Sequence, residues 1–281
     1  MIALTTSSRH HQELRPPAVV MGTNEIASAV AVHLHRAGYG VVLSHDPAPP
    51  VIRRGMAFHD TLYGDATVIE DIIGRNVDHA LHVLAEMSVP GRVAVTRLGL
   101  SDLLVIGRLS VLVDARMQKH RVTPDLRNLA VTTIGLGPGF QVDGNCDVAI
   151  ETRPVRNGTV LRAGVTDAAD GKPALLGGVG RERFAYAQAA GTWRSAFDVG
   201  LRIYKGMTVG HLEGEPVHAP IDGILRGVVR DDTVVPAGVK LLEIDPRKRR
   251  ASWTGIDERG RRIAMAAVDA LQSIVAGASS A

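Results

Sequence analysis

The stretch from Ala18 to Asp46 has residue types that could hold a phosphate group. An apolar run ends at Gly22, and Asn24 and Ala27 then stand where a dinucleotide fingerprint has its second and third glycines. A helix that begins here offers free backbone N–H groups to an anion, whereas the Asn24 side chain occupies the space of the phosphate. Asp46 ends the next apolar run, where an acidic residue can hold a ribose. The loop is therefore either a phosphate site or a scaffold loop that has lost this use.

Two adjacent arginines follow a proline-rich turn in the stretch "DPAPPVIRRG". Guanidinium groups form bidentate hydrogen bonds with phosphate and carboxylate groups, so Arg53 and Arg54 are candidate anion ligands. Arginines are also common on protein surfaces, and a solvated role for the pair stays open.

A glycine-rich turn follows an apolar run in "TTIGLGPGFQVDG". Gly135, Gly137 and Gly139 can direct successive backbone N–H groups inward as an anion nest, at the edge where open α/β sheets bind ligands. The same glycines are equally compatible with a tight crossover turn.

The histidines and the single cysteine favour no metal site. His33 and His35 stand two residues apart on a predicted helix and do not share a face, and His10 and His11 lie in a terminal arm. Cys146 is interpreted as a small buried residue rather than a reactive thiol. The sequence has no nucleophile elbow, Walker loop or Cys-His pair.

The elements that would position these residues alternate between strands and helices. The pattern from residue 18 to residue 140 predicts a Rossmann-like domain with a parallel sheet, and includes "DATVIEDIIGR" as a helix. Residues 1–17 are a predicted arm, and residues 141–183 a connecting β region.

An internal repeat predicts a second, β-rich domain over residues 184–250. Residues 190–214 align with residues 222–246 at an offset of 32, which pairs Gly206 with Gly238. The pattern resembles the biotinyl/lipoyl carrier fold, a barrel-sandwich hybrid. The hairpin between the halves, "HLEGEPVHAP", has no lysine for attachment, so neither biotin nor lipoate is expected. Residues 251–281 include a predicted amphipathic helix.

Composition excludes several classes of protein. The 281 residues carry a net charge of only +3, and the run Arg247 to Arg250 has no interleaved aromatic residues, so no nucleic-acid partner is expected. The most apolar run, "LLVIGRLSVLV", is too short to span a membrane, and the first residues do not form a signal peptide. One cysteine fits a reducing compartment, and the predicted location is the cytoplasm.

Several stretches occur in an order that resembles a known family. The Rossmann-like start, "HRAGYGVVLS", "PPVIRRGMAF", "LVDARMQKH", "IGLGPGFQVDGNCDVAIET", "GGVGRER" and "HAPIDGILRGVV" are similar to accessory proteins of selenium-dependent molybdenum hydroxylase systems, which are distantly similar to xanthine and carbon monoxide dehydrogenase maturation factors. The likeness covers almost the whole chain from Ala18. The residues that match the family pattern are Arg53, Arg54, Gly135, Gly137, Pro138, Gly139 and, less specifically, Asp114 and Lys119.

The chain also departs from that family. Asn24 and Glu25 replace the second glycine and the aspartate of its first loop, His45 stands where its second strand ends in an acidic residue, and "RPVRNG" replaces an Arg-Gly-His segment. These changes leave open whether the first loop binds phosphate.

The resemblance implies a maturation factor for a molybdenum-containing hydroxylase. The expected ligand is a molybdopterin-type cofactor or a nucleotide, and the expected partner is a molybdenum hydroxylase or another large enzyme. Two alternatives remain: an NAD(P)-dependent oxidoreductase, with Lys119 and Asp114 as weak acid-base candidates, and a non-catalytic scaffold subunit with a degenerate nucleotide site. A homo-oligomer is also compatible with the sequence.

Overall fold

One nine-stranded sheet organises the N-terminal part of the chain. The computed structural model describes residues 15–119 and 124–278, so most of the expected N-terminal arm, with His10 and His11, lies outside the described residues. The strands of this sheet are β1 (Pro17–Met21), β2 (Gly40–Ser44), β3 (Val68–Ile69), β4 (Ile72–Asn76), β5 (Arg92–Thr96), β6 (Leu109–Asp114), β7 (Ala130–Leu136), β8 (Val148–Ile150) and β9 (Val160–Leu161).

The sheet is mixed, which corrects the expected all-parallel sheet of a Rossmann-like domain. Its strand order is β3-β4-β5-β2-β1-β6-β7-β8-β9. The strands between β4 and β8 run parallel, whereas β3 and β9 pair antiparallel at the two edges. Both edge strands have only two residues, too few to show a strand pattern in the sequence. The sheet also extends into residues 141–183, which supply β8 and β9.

Helices cover both faces of this sheet. They are α1 (Glu25–Arg36), α2 (Ala80–Met87), α3 (Leu100–Leu103) and α4 (Glu258–Ala278). One apolar core contains the buried faces of α1 and α4, and a second core contains Val83 and Met87 of α2 and Leu103 of α3. Because both faces are covered, β1 and β2 are buried almost throughout. Short 3₁₀ segments occur at Arg54–Met56, Phe58–Tyr63, Leu104–Ile106, Pro154–Arg156, Arg181–Arg183 and Lys248–Arg250.

The stretch "DATVIEDIIGR" was expected to be helical, and this expectation is wrong. It forms the hairpin of β3 and β4, in which Glu70 adopts a left-handed conformation at the turn. Ile69 and Ile72 are buried on either side of that turn. Four β-branched apolar residues in six positions favour strands over a helix here.

The C-terminal part has two four-stranded antiparallel sheets that share one apolar core. Its strands are β10 (Phe184–Tyr186), β11 (Gly191–Arg194), β12 (Arg202–Ile203), β13 (Thr208–Leu212), β14 (Glu215–His218), β15 (Gly223–Val228), β16 (Thr233–Val235) and β17 (Lys240–Asp245). One sheet has the order β10-β17-β15-β12 and the other β14-β13-β11-β16. Trp193 is fully buried between them.

This architecture corrects the expected combination of a Rossmann-like sheet and a biotinyl/lipoyl-like domain. The observed fold is a large mixed sheet followed by two antiparallel sheets. The 32-residue offset relates β11 to β15 and β13 to β17, and Gly206 and Gly238 both have positive φ before a strand. Sheet β10-β17-β15-β12 is completed by β10, which precedes the aligned segments, so the repeat alone does not define the domain.

The part with the nine-stranded sheet and the β-rich part are in contact at a polar interface, which we call the seam. Val228 of β15 donates its backbone N–H to the carbonyl of Ile52 at 2.8 Å. The helix α4 leaves the β-rich part and returns to pack on α1. Among residues 15–119 and 124–278, no helix is both long and apolar enough to cross a membrane.

Candidate anion-binding cleft

A cleft of about 550 Å³ lies between the nine-stranded sheet and the β-rich part. One wall is formed by the segments that follow the carboxyl ends of β1, β2, β6, β7 and β8, represented by Asn24, Pro49, Met117, Pro138 and Thr152. The other wall comes from β10, the start of β17 and the segments before them. Ligands of open α/β sheets bind beyond the carboxyl ends of their strands, and this cleft occupies that position.

Besides Lys172 and Arg181, three basic side chains of the cleft have no carboxylate within salt-bridge distance among the described residues, and the pKa of each of these three is lowered. They are Lys119 at the exposed rim, Lys240 at the start of β17 and Arg259 at the start of α4. Arg259 donates to the backbone carbonyl of Thr152 at 3.2 Å. The Lys240 ammonium lies 3.8 Å from the centroid of the Phe184 ring.

The environment disfavours the charged forms of all three groups. Loss of hydration lowers the pKa of Lys240 to about 8, and the positive charge of Arg53 adds to this effect. The pKa of Lys119 is lowered by the same loss of hydration and then by Arg259. Burial also lowers the pKa of Arg259. Because these cations repel one another and lack acidic partners, a bound anion would relieve a repulsion already present in the cleft.

Most acidic groups of the cleft are already paired with arginines. Glu25 accepts from Arg53 at 3.0 Å, and Asp170 accepts from Arg153 at 2.8 Å. These carboxylates therefore do not neutralise the three unpaired cations.

Glu151 is paired at a longer distance, with its Oε1 3.8 Å from Nη1 of Arg156, and it also offers a buried hydrogen-bond acceptor. Its residue is fully buried, and its Oε1 accepts from the backbone N–H of Asp167. Its Oε2 is buried and has no hydrogen-bond partner among the described residues. Such a group is costly unless something donates to it, and Glu151 also lines the cleft.

The two predicted arginines are held by carboxylates of the protein. Arg53 binds Glu243 through its Nε at 2.7 Å and Glu25 through its Nη1 at 3.0 Å. Arg54 binds Asp60 at 2.9 Å and Asp198 at 2.9 Å. Because Glu243 and Asp198 belong to the β-rich part, both arginines tie the two parts of the chain together.

The loop from Gly22 to Asn24 is closed by its own side chain. Asn24 Oδ1 accepts from the backbone N–H groups of Ile26 at 2.9 Å and Ala27 at 3.0 Å, and Asn24 Nδ2 donates to the carbonyl of Ala115 at 2.7 Å. Asn24 is thus the N-cap of α1. The N–H groups expected to bind phosphate are already satisfied, and a scaffold loop fits this geometry.

The glycine-rich turn also uses its backbone groups internally. Gly135 lies inside β7, and a Cβ at that position would overlap the ring of Phe140. The N–H of Gly137 donates to the carbonyl of Ile150 at 3.0 Å, and the next residue, Pro138, has no N–H. Gly139 accepts from Asn145 at 3.0 Å. The geometry favours the crossover turn over a nest of free N–H groups.

The predicted acidic residues form a separate cluster beside the cleft. Arg116 binds Asp114 at 2.7 Å, and its Nη1 lies 3.6 Å from Asp46. Asp46 also accepts from the backbone N–H of Ala48 at 2.9 Å. These contacts hold the segments after β2 and β6 in place.

His45 lies in a buried polar contact next to that cluster. The hydroxyl of Thr23 is 3.2 Å from Nδ1 of His45 and 3.0 Å from Nδ1 of His59. Burial lowers the pKa of His59 to about 3, so this ring is neutral near pH 7. Within residues 15–119 and 124–278, no group of three His, Cys, Asp or Glu side chains is arranged to hold a metal ion.

The structure therefore divides the predicted site residues into two groups. Those that line the cleft are Asn24, Arg53, Lys119 and Pro138. Those outside its lining are Gly22, Asp46, Arg54, Asp114, Gly135, Gly137 and Gly139. Their expected role in holding a ligand stays a prediction.

Sequence reasoning missed Lys240, Arg259 and Glu151. Lys240 lies in the internal repeat, where it aligns with Thr208, and Arg259 lies in the predicted amphipathic helix, so neither pattern marks a ligand-binding residue. Glu151 lies in the stretch "IGLGPGFQVDGNCDVAIET", which carries part of the resemblance to a known family. The one available signal was a polar residue in an otherwise apolar run, as in "DVAIET".

Comparison with known proteins gives one curated relative. No family model matches the chain. The uncharacterized protein YqeB of Escherichia coli (strain K12) is 29% identical over 258 residues, which cover 92% of this chain and 47% of YqeB. The chain thus spans about half the length of the curated relative it matches.

Solved structures give a weaker likeness. The product-bound ectoine utilization protein EutE (DoeB) from Ruegeria pomeroyi is 11% identical, with 82% of this chain and 85% of that chain covered and a TM-score of 0.24. An aspartoacylase family protein from Mesorhizobium loti is 9% identical, with 83% and 86% covered and a TM-score of 0.23. A succinylglutamate desuccinylase/aspartoacylase from Rhodobacter sphaeroides is 10% identical, with 82% and 85% covered and a TM-score of 0.25. Scores this low do not establish a shared fold or activity.

These comparisons correct the family expected from the sequence. The expected kinship with accessory proteins of molybdenum hydroxylases is contradicted by the matching solved structures, which include aspartoacylase and succinylglutamate desuccinylase family members. The same finding corrects the maturation function and its alternatives, the NAD(P)-dependent oxidoreductase and the scaffold subunit with a degenerate nucleotide site. It also corrects the expected molybdopterin-type or nucleotide cofactor, and the capped loop at Asn24 agrees with that correction.

Proposed function

We propose that the chain binds a small organic anion in the cleft between its two parts. The observation that carries the proposal is the group of unpaired cations, Lys119, Lys240 and Arg259, around one cavity. Natural clefts for small molecules have volumes of about 300 to 1,000 Å³ and a few polar groups among apolar ones. The cavity of about 550 Å³ falls within that range.

The cleft also constrains the chemistry of the ligand. A carboxylate or phosphate group would meet the three cations. A hydroxyl or amino group on the same molecule would donate to Glu151 Oε2, which has no partner among the described residues. Apolar walls, which include Pro49, Val51 and Met117, favour a short carbon skeleton between the two polar ends.

Location and partners belong to the proposal as well. We place the chain in the cytoplasm because its single cysteine, Cys146, allows no disulfide within the chain, which fits a reducing compartment. A larger enzyme partner and a homo-oligomer stay predictions.

Titration with succinate, citrate and inorganic phosphate at constant ionic strength tests the proposal. Calorimetry should show saturable binding by at least one of these anions. A ligand at 100 times its Kd should also raise the free energy of unfolding by about 2.7 kcal/mol.

Single substitutions test whether the anion binds in the cleft. Since a hydrogen bond to a charged group contributes about 1.5 to 3 kcal/mol, Lys119→Gln or Arg259→Gln should weaken binding by about tenfold or more. Lys205→Gln changes an exposed lysine outside the cleft and serves as the matched control. Failure of all three anions to bind more tightly than about 1 mM, or equal binding by all variants, would overturn the proposal.

A further inference from the structure

Lys240 differs from Lys119 and Arg259 because it lies against an aromatic surface. Its residue opens β17 and pairs across the antiparallel ladder with Tyr186 of β10. Its ammonium lies 3.8 Å from the centre of the Phe184 ring. The side chain is half-buried and lines the cleft, so a small ligand can reach it.

The charged groups around Lys240 have opposite effects on its ammonium form. Arg53 and Lys119 disfavour it, whereas Glu25 and Glu243 favour it. Both carboxylates accept hydrogen bonds from Arg53, at 3.0 Å and 2.7 Å. Loss of hydration is the largest effect, and the pKa of Lys240 falls to about 8. About a quarter of the Lys240 amines are therefore uncharged at pH 7.5, against about 0.1% for an ordinary lysine.

Two conditions activate a lysine as a nucleophile: a desolvating pocket and a neighbouring cation. Lys240 meets both. We propose that Lys240 is an amine nucleophile that forms an imine with the carbonyl group of a small oxo acid held in the cleft. This inference rests on the anion-binding function proposed above, because Lys119 and Arg259 would hold the carboxylate of the same molecule.

The step balances without an oxidant or a reductant. The Lys240 nitrogen lone pair forms a C–N bond to the carbonyl carbon, and the C=O π electrons move to oxygen. A proton passes from nitrogen to that oxygen, which gives a carbinolamine. The carbinolamine takes up one further proton on oxygen, loses water as the C=N bond forms, and yields a protonated imine. Water added to the C=N bond reverses the step.

Reductive trapping on the whole chain tests the inference. The protein is incubated at pH 7.5 with glyoxylate and sodium cyanoborohydride, and the modified lysines are mapped by peptide mass spectrometry. A reduced imine adds one carboxymethyl group to the lysine. Lys240 should be modified at least about tenfold faster than exposed Lys205, because its larger free-amine fraction outweighs its weaker basicity. Succinate, which has no aldehyde or keto group, should slow modification of Lys240 and leave modification of Lys205 unchanged.

The outcomes separate this inference from the proposed function. Lys240→Arg should lose the cleft adduct, and Lys205→Arg should keep it, whereas the wild-type map is informative even if a variant does not fold. Equal modification of Lys240 and Lys205 would overturn the inference, and succinate binding by calorimetry would then leave anion binding intact. If neither succinate, citrate nor phosphate binds, the proposed function fails and the oxo-acid inference fails with it.

Discussion

The substitution Glu243→Gln tests whether a buried ion cluster holds the two parts of the chain together. Glu243 is fully buried in β17 and accepts from Arg53 at 2.7 Å and Arg183 at 2.9 Å. Glutamine keeps the shape of the side chain but removes its charge. The two guanidinium groups would then remain in a buried site without their shared counter-ion.

The expected loss of stability can be worked out from the carboxyl group. Burial alone would raise the pKa of Glu243, but Arg53 and then Arg226 and Arg183 lower it from 4.5 to about 2. At about 1.4 kcal/mol per pKa unit, this change corresponds to about 3 kcal/mol of native-state stability. Removal of one partner from a buried ion pair costs about 3 to 5 kcal/mol, so we expect Glu243→Gln to lose at least 3 kcal/mol at pH 7.

The same reasoning fixes the pH dependence. Because the folded-state pKa of Glu243 is depressed, its stabilisation is fully present above about pH 4.5 and is lost as the pH falls toward 2. The difference in unfolding free energy between wild type and Glu243→Gln should therefore decrease by about 2 kcal/mol from pH 7 to pH 3.

Urea unfolding followed by tryptophan fluorescence measures both effects. Trp193 is fully buried in the core of the β-rich part, where its Nε1 donates to the carbonyl of Val229 at 3.0 Å. Glu215→Gln, at an exposed position of β14, is the control and should stay within about 0.5 kcal/mol of wild type. Two results would refute the claim that this ion cluster holds the two parts together. One is a decrease in unfolding free energy of less than about 1 kcal/mol for Glu243→Gln, and the other is a difference from wild type that does not change with pH.

Three further perturbations address other sites. Asn24→Ala removes the N-cap of α1 and should lower the unfolding free energy by about 1 kcal/mol in urea titrations; an unchanged value would show that the cap is not formed. Gly135→Ala places a Cβ against the ring of Phe140 and should cost about 1 to 3 kcal/mol in a thermal melt, whereas an unaltered Tm would contradict this packing. Acylation of Lys240 by acetic anhydride should rise with pH around a midpoint near 8, since only the free amine reacts. A midpoint above 10 for Lys240 would disprove its desolvation.

Local sequence patterns located the first β-α-β segment of the sheet. The apolar run before Gly22, the helical spacing of Ile26, Val30 and Leu34, and the Gly38 turn are all short-range signals. They coincide with β1, α1 and β2 because both faces of the sheet are buried there. The use of the loop was harder to predict, since Asn24 can either obstruct a phosphate or cap a helix.

Other features depend on contacts between distant residues. The two-residue strands β3 and β9 exist only because a neighbouring strand offers its edge. Lys119, Lys240 and Arg259 are far apart in the sequence, and nothing within a local window brings them to one cavity. The same limit applies to Arg53, whose type suggested a ligand anion, whereas the fold brings Glu243 of the β-rich part to it.

At the seam, charged residues that are paired hold the two parts of the chain together, whereas unpaired ones can bind a ligand. Arg53 and Arg183 share Glu243, so their charges are neutralised by the fold and can hold the two walls at a fixed distance. Lys240 lies three residues before Glu243 on β17 but is not neutralised in this way. Since an unpaired cation is costly to confine near other cations, we expect a bound anion to stabilise the cleft. A ligand that contacts both walls should therefore strengthen the seam, and the stabilisation it gives should persist in Glu243→Gln, where the cations remain but the protein's own counter-ion is gone.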